Sequence, residues 1–276
     1  MSEFLKIGNV IKPVPKLEGL SYDLTAGKVY NLLYSRENGV YLEENGDLNL
    51  PKKIYELEDD QLFMNRVLKY FNSELSGSTT GVILSGVKGT GKSILAKRLA
   101  LASNLPIIVI RYIPSHLITG FFKSFKVPVT LIFDEFEKTY SPREQQDLLE
   151  LLDGVEATTK KLCIFTCNNP NRVEENFFDR CSRVRYCREY DADSNDVFVK
   201  VLAESKNIKD VNGVVDFIIN YFNVKSFDNI LSFLDEVLLN EEDNLNYRAL
   251  AKNMNISLKG DSSKGTSAYS DDEDCD

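Results

Sequence analysis

Gly86-Val87-Lys88-Gly89-Thr90-Gly91-Lys92-Ser93 satisfies the pattern G-x-x-x-x-G-K-[ST] at every fixed position. Glycines let a backbone turn tightly and aim its N–H groups inward, where phosphate oxygens can accept them. A helix opening at Gly91 adds the positive end of its dipole. The Lys92 ammonium can reach the outer phosphates of a triphosphate, and the Ser93 hydroxyl can complete a Mg²⁺ shell. A chance match in a Gly-rich turn is expected in about one chain in a hundred of this length. The flanks argue against chance, because Val82-Ile83-Leu84-Ser85 reads as a buried strand and Gly91 to Ala102 as a helix. The expected ligand contacts are therefore Gly86, Val87, Lys88, Gly89, Thr90, Gly91, Lys92, Ser93 and Ile94.

About forty residues after Ser93 comes Val129-Thr130-Leu131-Ile132-Phe133-Asp134-Glu135, an apolar strand ending in two acids. Parallel sheets bind ligands at the carboxyl ends of their strands. Asp134 is placed to hold Mg²⁺ with Ser93, and Glu135 to polarise an attacking water as general base. Two solvated acids at a strand exit are the plain alternative. Their distance from Ser93 and the strand before them favour the chemical role. ATP and Mg²⁺ are the expected ligands, and ATP hydrolysis the expected reaction.

The surrounding pattern sets the fold class. Strands are expected at 106–112, 127–133, 162–167 and 183–190, with helices at 91–102 and 141–153, the last stopped by Gly154. Apolar strands alternating with helices indicate a parallel sheet covered on both faces, an α/β fold of the phosphate-binding-loop type. Before it, Val29 to Tyr34 and Val40 to Leu42 flank Asn38-Gly39, a hairpin signal, within a short β-rich element at residues 1–56. A helix is expected from about Asp59 to Leu75. The α/β domain then covers residues 57–190. After Asp191 the strands stop, and helix-spaced apolar residues such as Ile230, Phe233, Leu234 and Val237 mark a small all-α lid at 191–256. Residues 257–276 read as a disordered acidic tail, since they have almost nothing to bury.

Composition narrows the partners. Net charge is −9, and the last twenty residues hold six acids and two lysines, leaving −5 in the body. A mildly acidic body does not suit a general binder of phosphate backbones. No apolar run reaches the ~20 residues of a membrane span. Met1-Ser2-Glu3-Phe4-Leu5-Lys6 lacks the marks of a signal peptide, so the cytoplasm is the expected compartment. Five cysteines, an odd number in a chain of this size, do not look like a disulfide framework. Cys163 and Cys167, in an extended strand, would stand ~13 Å apart, too far to share a metal. They read as structural cysteines.

From Gly81 to Tyr190, and more loosely to Ile256, the chain resembles the AAA family of AAA+ ATPases. The loop and the two acids carry the resemblance. So do Leu151-Leu152-Asp153-Gly154, similar to the family's L-D-G, and Phe165-Thr166-Cys167-Asn168-Asn169, which looks like the strand ending in the sensor-1 asparagine. Phe178-Asp179-Arg180-Cys181-Ser182-Arg183 is similar to its R-x-x-R. The resemblance implies that Asn168 orients the water, the other option being a turn residue after a strand. It implies that Arg180 and Arg183 are arginine fingers inserted into a neighbour's site, the other option being surface arginines. It also implies a ring, with a hexamer as the family's form. Ile54 and Tyr55 lie where the family often contacts adenine. Family motors carry an aromatic pore residue two before a glycine, a place held here by Ile118. Phe121 and Phe122 follow Gly120 instead, and either pore or core suits them. A single module with a short N-terminal element also looks like phage-encoded ATPases, which would work in a host cytoplasm.

Three functions remain in view, the third being a non-motor scaffold whose ATP state controls assembly. The first is an ATP-driven remodeller of protein clients or complexes. The second is a nucleic-acid-linked switch of the clamp-loader or helicase-loader kind, which the acidic composition disfavours.

Overall fold

The computed structural model describes residues 3–14, 23–51, 53–55, 58–123, 125–153, 159–179, 181, 183–190, 194–240 and 246–260. Apolar runs bounded by turn residues become strands. β5 (Thr79–Gly86), β7 (Val129–Phe133) and β8 (Lys161–Cys167) are buried at every position, as strands covered on both faces must be. β6 (Ile107–Ile110) pairs parallel with β7, β7 with β8, β8 with β5, and β5 with β9 (Val184–Tyr190). β9 alternates exposed and covered residues because it is an edge strand.

Four N-terminal strands extend this same sheet. β1 (Glu3–Ile7), β2 (Val10–Val14), β3 (Val29–Ser35) and β4 (Gly39–Glu44) pair antiparallel among themselves. β3 then runs parallel to β6, with Val29 opposite Ile107 and Leu32 opposite Ile110. The described residues thus form one nine-stranded sheet, ordered β1-β2-β4-β3-β6-β7-β8-β5-β9. The Asn38-Gly39 turn joins β3 to β4 as its composition indicates, with Gly39 at φ 63°. The N-terminal element is β-rich as expected, yet it shares its sheet and its compact unit with the residues that follow.

Helices cover both faces. α1 (Glu58–Phe71) and α2 (Lys92–Ala102) pack Met64, Val67, Phe71, Leu95 and Leu99 onto one face. α3 (Ser115–Lys123) and α5 (Pro142–Asp153) pack Ile118, Phe122, Leu148 and Leu152 onto the other. α4 (Phe136–Thr139) is a single turn after β7. The choice left open for Phe121 and Phe122 is decided by α3. Both are buried, and with Phe125 they form a ring cluster with centroids 5.0–5.4 Å apart. They are core residues, each worth roughly 1.5–3 kcal/mol of burial.

The chain divides into two compact units, Met1–Asp191 and Ala192–Asp276. The second contains α6 (Ser194–Ser205), α7 (Val211–Tyr221), α8 (Phe227–Leu239) and α9 (Tyr247–Asn253). Asp210, Ser226 and Asn246 cap α7, α8 and α9 through their side-chain oxygens. Its core includes Val199, Leu202, Ile218, Phe233 and Leu234. Of residues 257–260, expected to open the tail, Leu258 is buried and bridges to Phe222, while the other three are exposed. The rest of the expected tail, 261–276, lies outside the described residues. Among those described, no helix is long and apolar enough to cross a membrane.

Candidate active site

Parallel strands deliver their following loops to one end of the sheet. The loop after β5, the acids after β7 and Asn168 after β8 therefore meet, because β8 lies between β5 and β7. The loop turns on three glycines at positive φ: Gly86 at 125°, Gly89 at 79° and Gly91 at 95°. Such angles suit glycine and strain any residue with a Cβ. Thr90 Oγ1 donates to the Val87 carbonyl at 2.8 Å, which tightens the turn. Lys92 Nζ donates to the Gly86 and Val87 carbonyls, both at 2.7 Å. The ammonium is buried in the loop, and burial pushes its pKa down, while Cys167, Glu137, Asp134 and Glu135 push the other way. Val87, Lys88, Gly89 and Ser93 are exposed, and Ile94 is half-buried on α2.

The acids are held by hydroxyls and an amide. Ser93 Oγ donates to Asp134 Oδ1 at 3.0 Å, and Thr166 Oγ1 donates to the same oxygen at 2.5 Å. Thr166 Oγ1 also accepts the Glu135 N–H at 2.9 Å. Glu135 has a left-handed backbone, φ 48°, which is strained for a non-glycine residue. That turn aims its carboxylate at Asn168, whose Nδ2 donates to Glu135 Oε1 at 2.9 Å. Lys138 Nζ reaches the same oxygen at 2.8 Å. The Lys138 hydrogen bond, more than that of Asn168, holds the Glu135 carboxyl below its ordinary range, so it is ionised at neutral pH.

Thr166, Glu137 and Lys138 escaped the motif-based selection. Thr166 is the one hydroxyl in Leu162–Cys167, a signal that could have been read. Glu137 is buried, and its Oε1 accepts the Asn168 N–H at 2.8 Å. Its Oε2 is buried with no hydrogen-bond partner among the described residues. Lys138 was hidden because its contact depends on the left-handed turn at Glu135.

Arg183 is not brought to these acids. Arg180 lies outside the described residues. Arg183 Nη1 donates to the Asn176 carbonyl at 3.1 Å, beside the start of β9, where Val184 pairs with Gly81. The loop adjoins the far end of β9, where Gly86 pairs with Tyr190. Seven residues of strand separate the two ends by about 20 Å at ~3.3 Å per residue. Lys53 Nζ stands 4.7 Å from the ring of Tyr55, while Ile54 and Tyr55 are both half-buried. Burial pushes the thiols of Cys163 and Cys167 up to about 12, as suits strand residues in the core.

The donor set fits Mg²⁺ bound together with a triphosphate. Among the described residues no cluster of three or more His, Cys, Asp or Glu could hold a metal. Mg²⁺ beside a nucleotide needs only one or two protein oxygens, the phosphates and water supplying the rest. Ser93 Oγ and Asp134 Oδ1, already in contact, are such a pair. A separate cavity of about 510 Å³ beside α4, lined by Glu137, Gln145 and Arg172 among others, includes no residue of Gly86–Ile94 and is not the phosphate cradle.

Residues 82–189 match the model of the ATPase family associated with various cellular activities (AAA). No curated protein matches the chain. The matched span runs from β5 through β9 and takes in the glycine loop, both strand-end acids and Asn168, so this stretch of the chain is similar to the AAA ATPase domain.

Proposed function

We propose that the chain binds Mg–ATP on Gly86–Ile94 and hydrolyses it within a ring of copies, coupling turnover to the remodelling of a protein or protein complex. The convergence of Ser93, Thr166, Asp134, Glu135 and Asn168 at one end of the sheet carries this reading. Backbone N–H groups of the loop and the α2 N-terminus hold phosphate oxygens. The Lys92 ammonium, now on two loop carbonyls, is within reach of a phosphate held in the same loop. Ser93 and Asp134 hold Mg²⁺, which when bound neutralises charge on the β and γ phosphates.

Glu135 is the base. Its carboxylate is ionised and fixed by Asn168 and Lys138, so it can take a proton from a water lined up on the γ phosphate. Asn168 keeps that carboxylate, and the water beside it, in line. Arg183 is about a strand's length from its own loop, which supports a finger acting on a neighbour. Arg180 is the second finger by resemblance. A ring follows from fingers that act in trans. The mildly acidic body favours a protein client over nucleic acid, and Phe121 and Phe122, as core residues, do not grip it. The cytoplasm is the proposed compartment.

The test is Glu135→Gln in the full chain. That variant should bind Mg–ATP, lose turnover by about 10²-fold or more, as expected on removing a general base, and accumulate as a ring on light scattering. Wild-type turnover would remove Glu135 as the base, and a monomer at every ATP concentration would remove the ring.

A further inference from the structure

Away from the acids, a charged cluster sits where α1 meets β9. Arg188 Nη2 lies 2.6 Å from Asp60 Oδ1, and Tyr190 Oη donates to that same oxygen at 3.1 Å. Asp60 is only 6% exposed. The Arg188 guanidinium lies 5.2 Å from the ring centroid of Tyr190 and 5.8 Å from that of Phe63. Its Nε is buried without a hydrogen-bond partner among the described residues. Arg98 on α2 adds a second cation near Asp60 and donates to Gln61 Oε1 at 3.3 Å. Burial raises the Asp60 carboxyl, and Arg188 opposes that rise.

This is a poor way to gain stability alone. Buried ion pairs are often matched or bettered by apolar side chains of similar volume, and an orphaned donor adds cost. The other end of Tyr190 suggests what the cluster holds in place. Tyr190 pairs with Gly86, and its carbonyl accepts the Val87 N–H at 3.4 Å. A Cβ on Gly86 would stand 2.1 Å from that carbonyl oxygen. The first glycine of the phosphate loop therefore lies flat on the Tyr190 main chain. Tyr190 spans from α1, through its hydroxyl, to the loop entry, through its backbone.

We propose that Asp60, Arg188 and Tyr190 form a clasp that positions the entry of the Gly86–Ser93 loop for nucleotide. With its ring end tied to Asp60, the Tyr190 main chain cannot drift, and Gly86 and Val87 stay where the loop N–H groups converge. The clasp acts through preorganisation: an ordered loop loses less freedom when phosphate binds. These are positioning residues, since none touches the phosphates. The proposal rests on the nucleotide-binding reading above.

The experiment compares Tyr190→Phe and Asp60→Asn with wild type in the full chain. Tyr190→Phe removes one hydroxyl and keeps the ring, so it remains informative if Asp60→Asn folds poorly. Titration with Mg–ADP should show Kd raised about tenfold, the scale of one hydrogen bond to a charged partner. KM for ATP should rise more than kcat falls. Without nucleotide, amide exchange should quicken at Val87 and its loop neighbours while β7 and β8 keep their protection. Unchanged Kd and unchanged Val87 exchange in a folded Tyr190→Phe would overturn the clasp, as would exchange that quickens evenly across the sheet. If wild type binds no Mg–ADP, the nucleotide reading fails instead, and the Val87 exchange still decides whether the clasp orders the loop.

Discussion

Replacing Thr166 with Val removes one hydroxyl and leaves the strand nearly the same shape. Thr166 Oγ1 bonds Asp134 Oδ1 at 2.5 Å and the Glu135 N–H at 2.9 Å, and it is buried within β8. The bond to the carboxylate is worth about 1.5–3 kcal/mol and the neutral one about 0.5–1.5, so the loss is roughly 2–4 kcal/mol. At about 2–4 °C per kcal/mol for a unit of this size, the melting point of the first unit should drop by roughly 4–16 °C. The same two bonds set the angle between Asp134 and Glu135, and Glu135 is already strained at φ 48°. A shift of either acid that costs 1.4–2.8 kcal/mol in the transition state slows hydrolysis about 10- to 100-fold. Binding of Mg–ADP should change much less, because the loop after β5 keeps its own bonds. Calorimetry and a phosphate-release assay measure the two effects. A Thr166→Val chain that melts within about 1 °C of wild type and turns over at the wild-type rate would show that the hydroxyl does not organise the acids.

Phe121→Ala should destabilise the first unit by about 3–5 kcal/mol, as a buried aromatic does. Chemical unfolding checks this, and a near-neutral result would reopen a surface role for Phe121. In native protein at pH 8, an alkylating reagent should label the exposed Cys181 and Cys187 before Cys163 and Cys167, whose thiols are buried and titrate near 12. Mass spectrometry reads the sites, and equal labelling of Cys163 in folded protein would contradict its place in the core.

The loop and the acids were legible because phosphate chemistry tolerates few residue types at those spacings. Gly86 and Gly91 at positive φ and a lysine folded back onto the loop are what the pattern demands, and β5, β7 and β8 follow from their apolar runs. Strand alternation shows that 29–34 and 40–42 are extended, but not what they pair with. The pairing of β3 with β6 joins residues more than seventy positions apart, and only tertiary register settles it. The same limit applied to Phe121 and Phe122, since helical spacing serves a core and a pore equally well until burial separates them. Thr166 was visible in principle, as the lone hydroxyl of a buried run. Glu137 was not, because an acid one residue past an apolar Phe136 reads as solvated until α4 turns it under Asn168. The Asp60 clasp was invisible for a similar reason: its members come from α1 and β9, 128 to 130 residues apart.

The most direct test of the account is calorimetric titration of Mg–ADP and Mg–ATP into wild type and Lys92→Ala. Wild type should show saturable binding at one site per chain, and that binding should be lost when the ammonium that now bonds Gly86 and Val87 is removed. Equal affinity in the two proteins, or no binding to wild type, would contradict it.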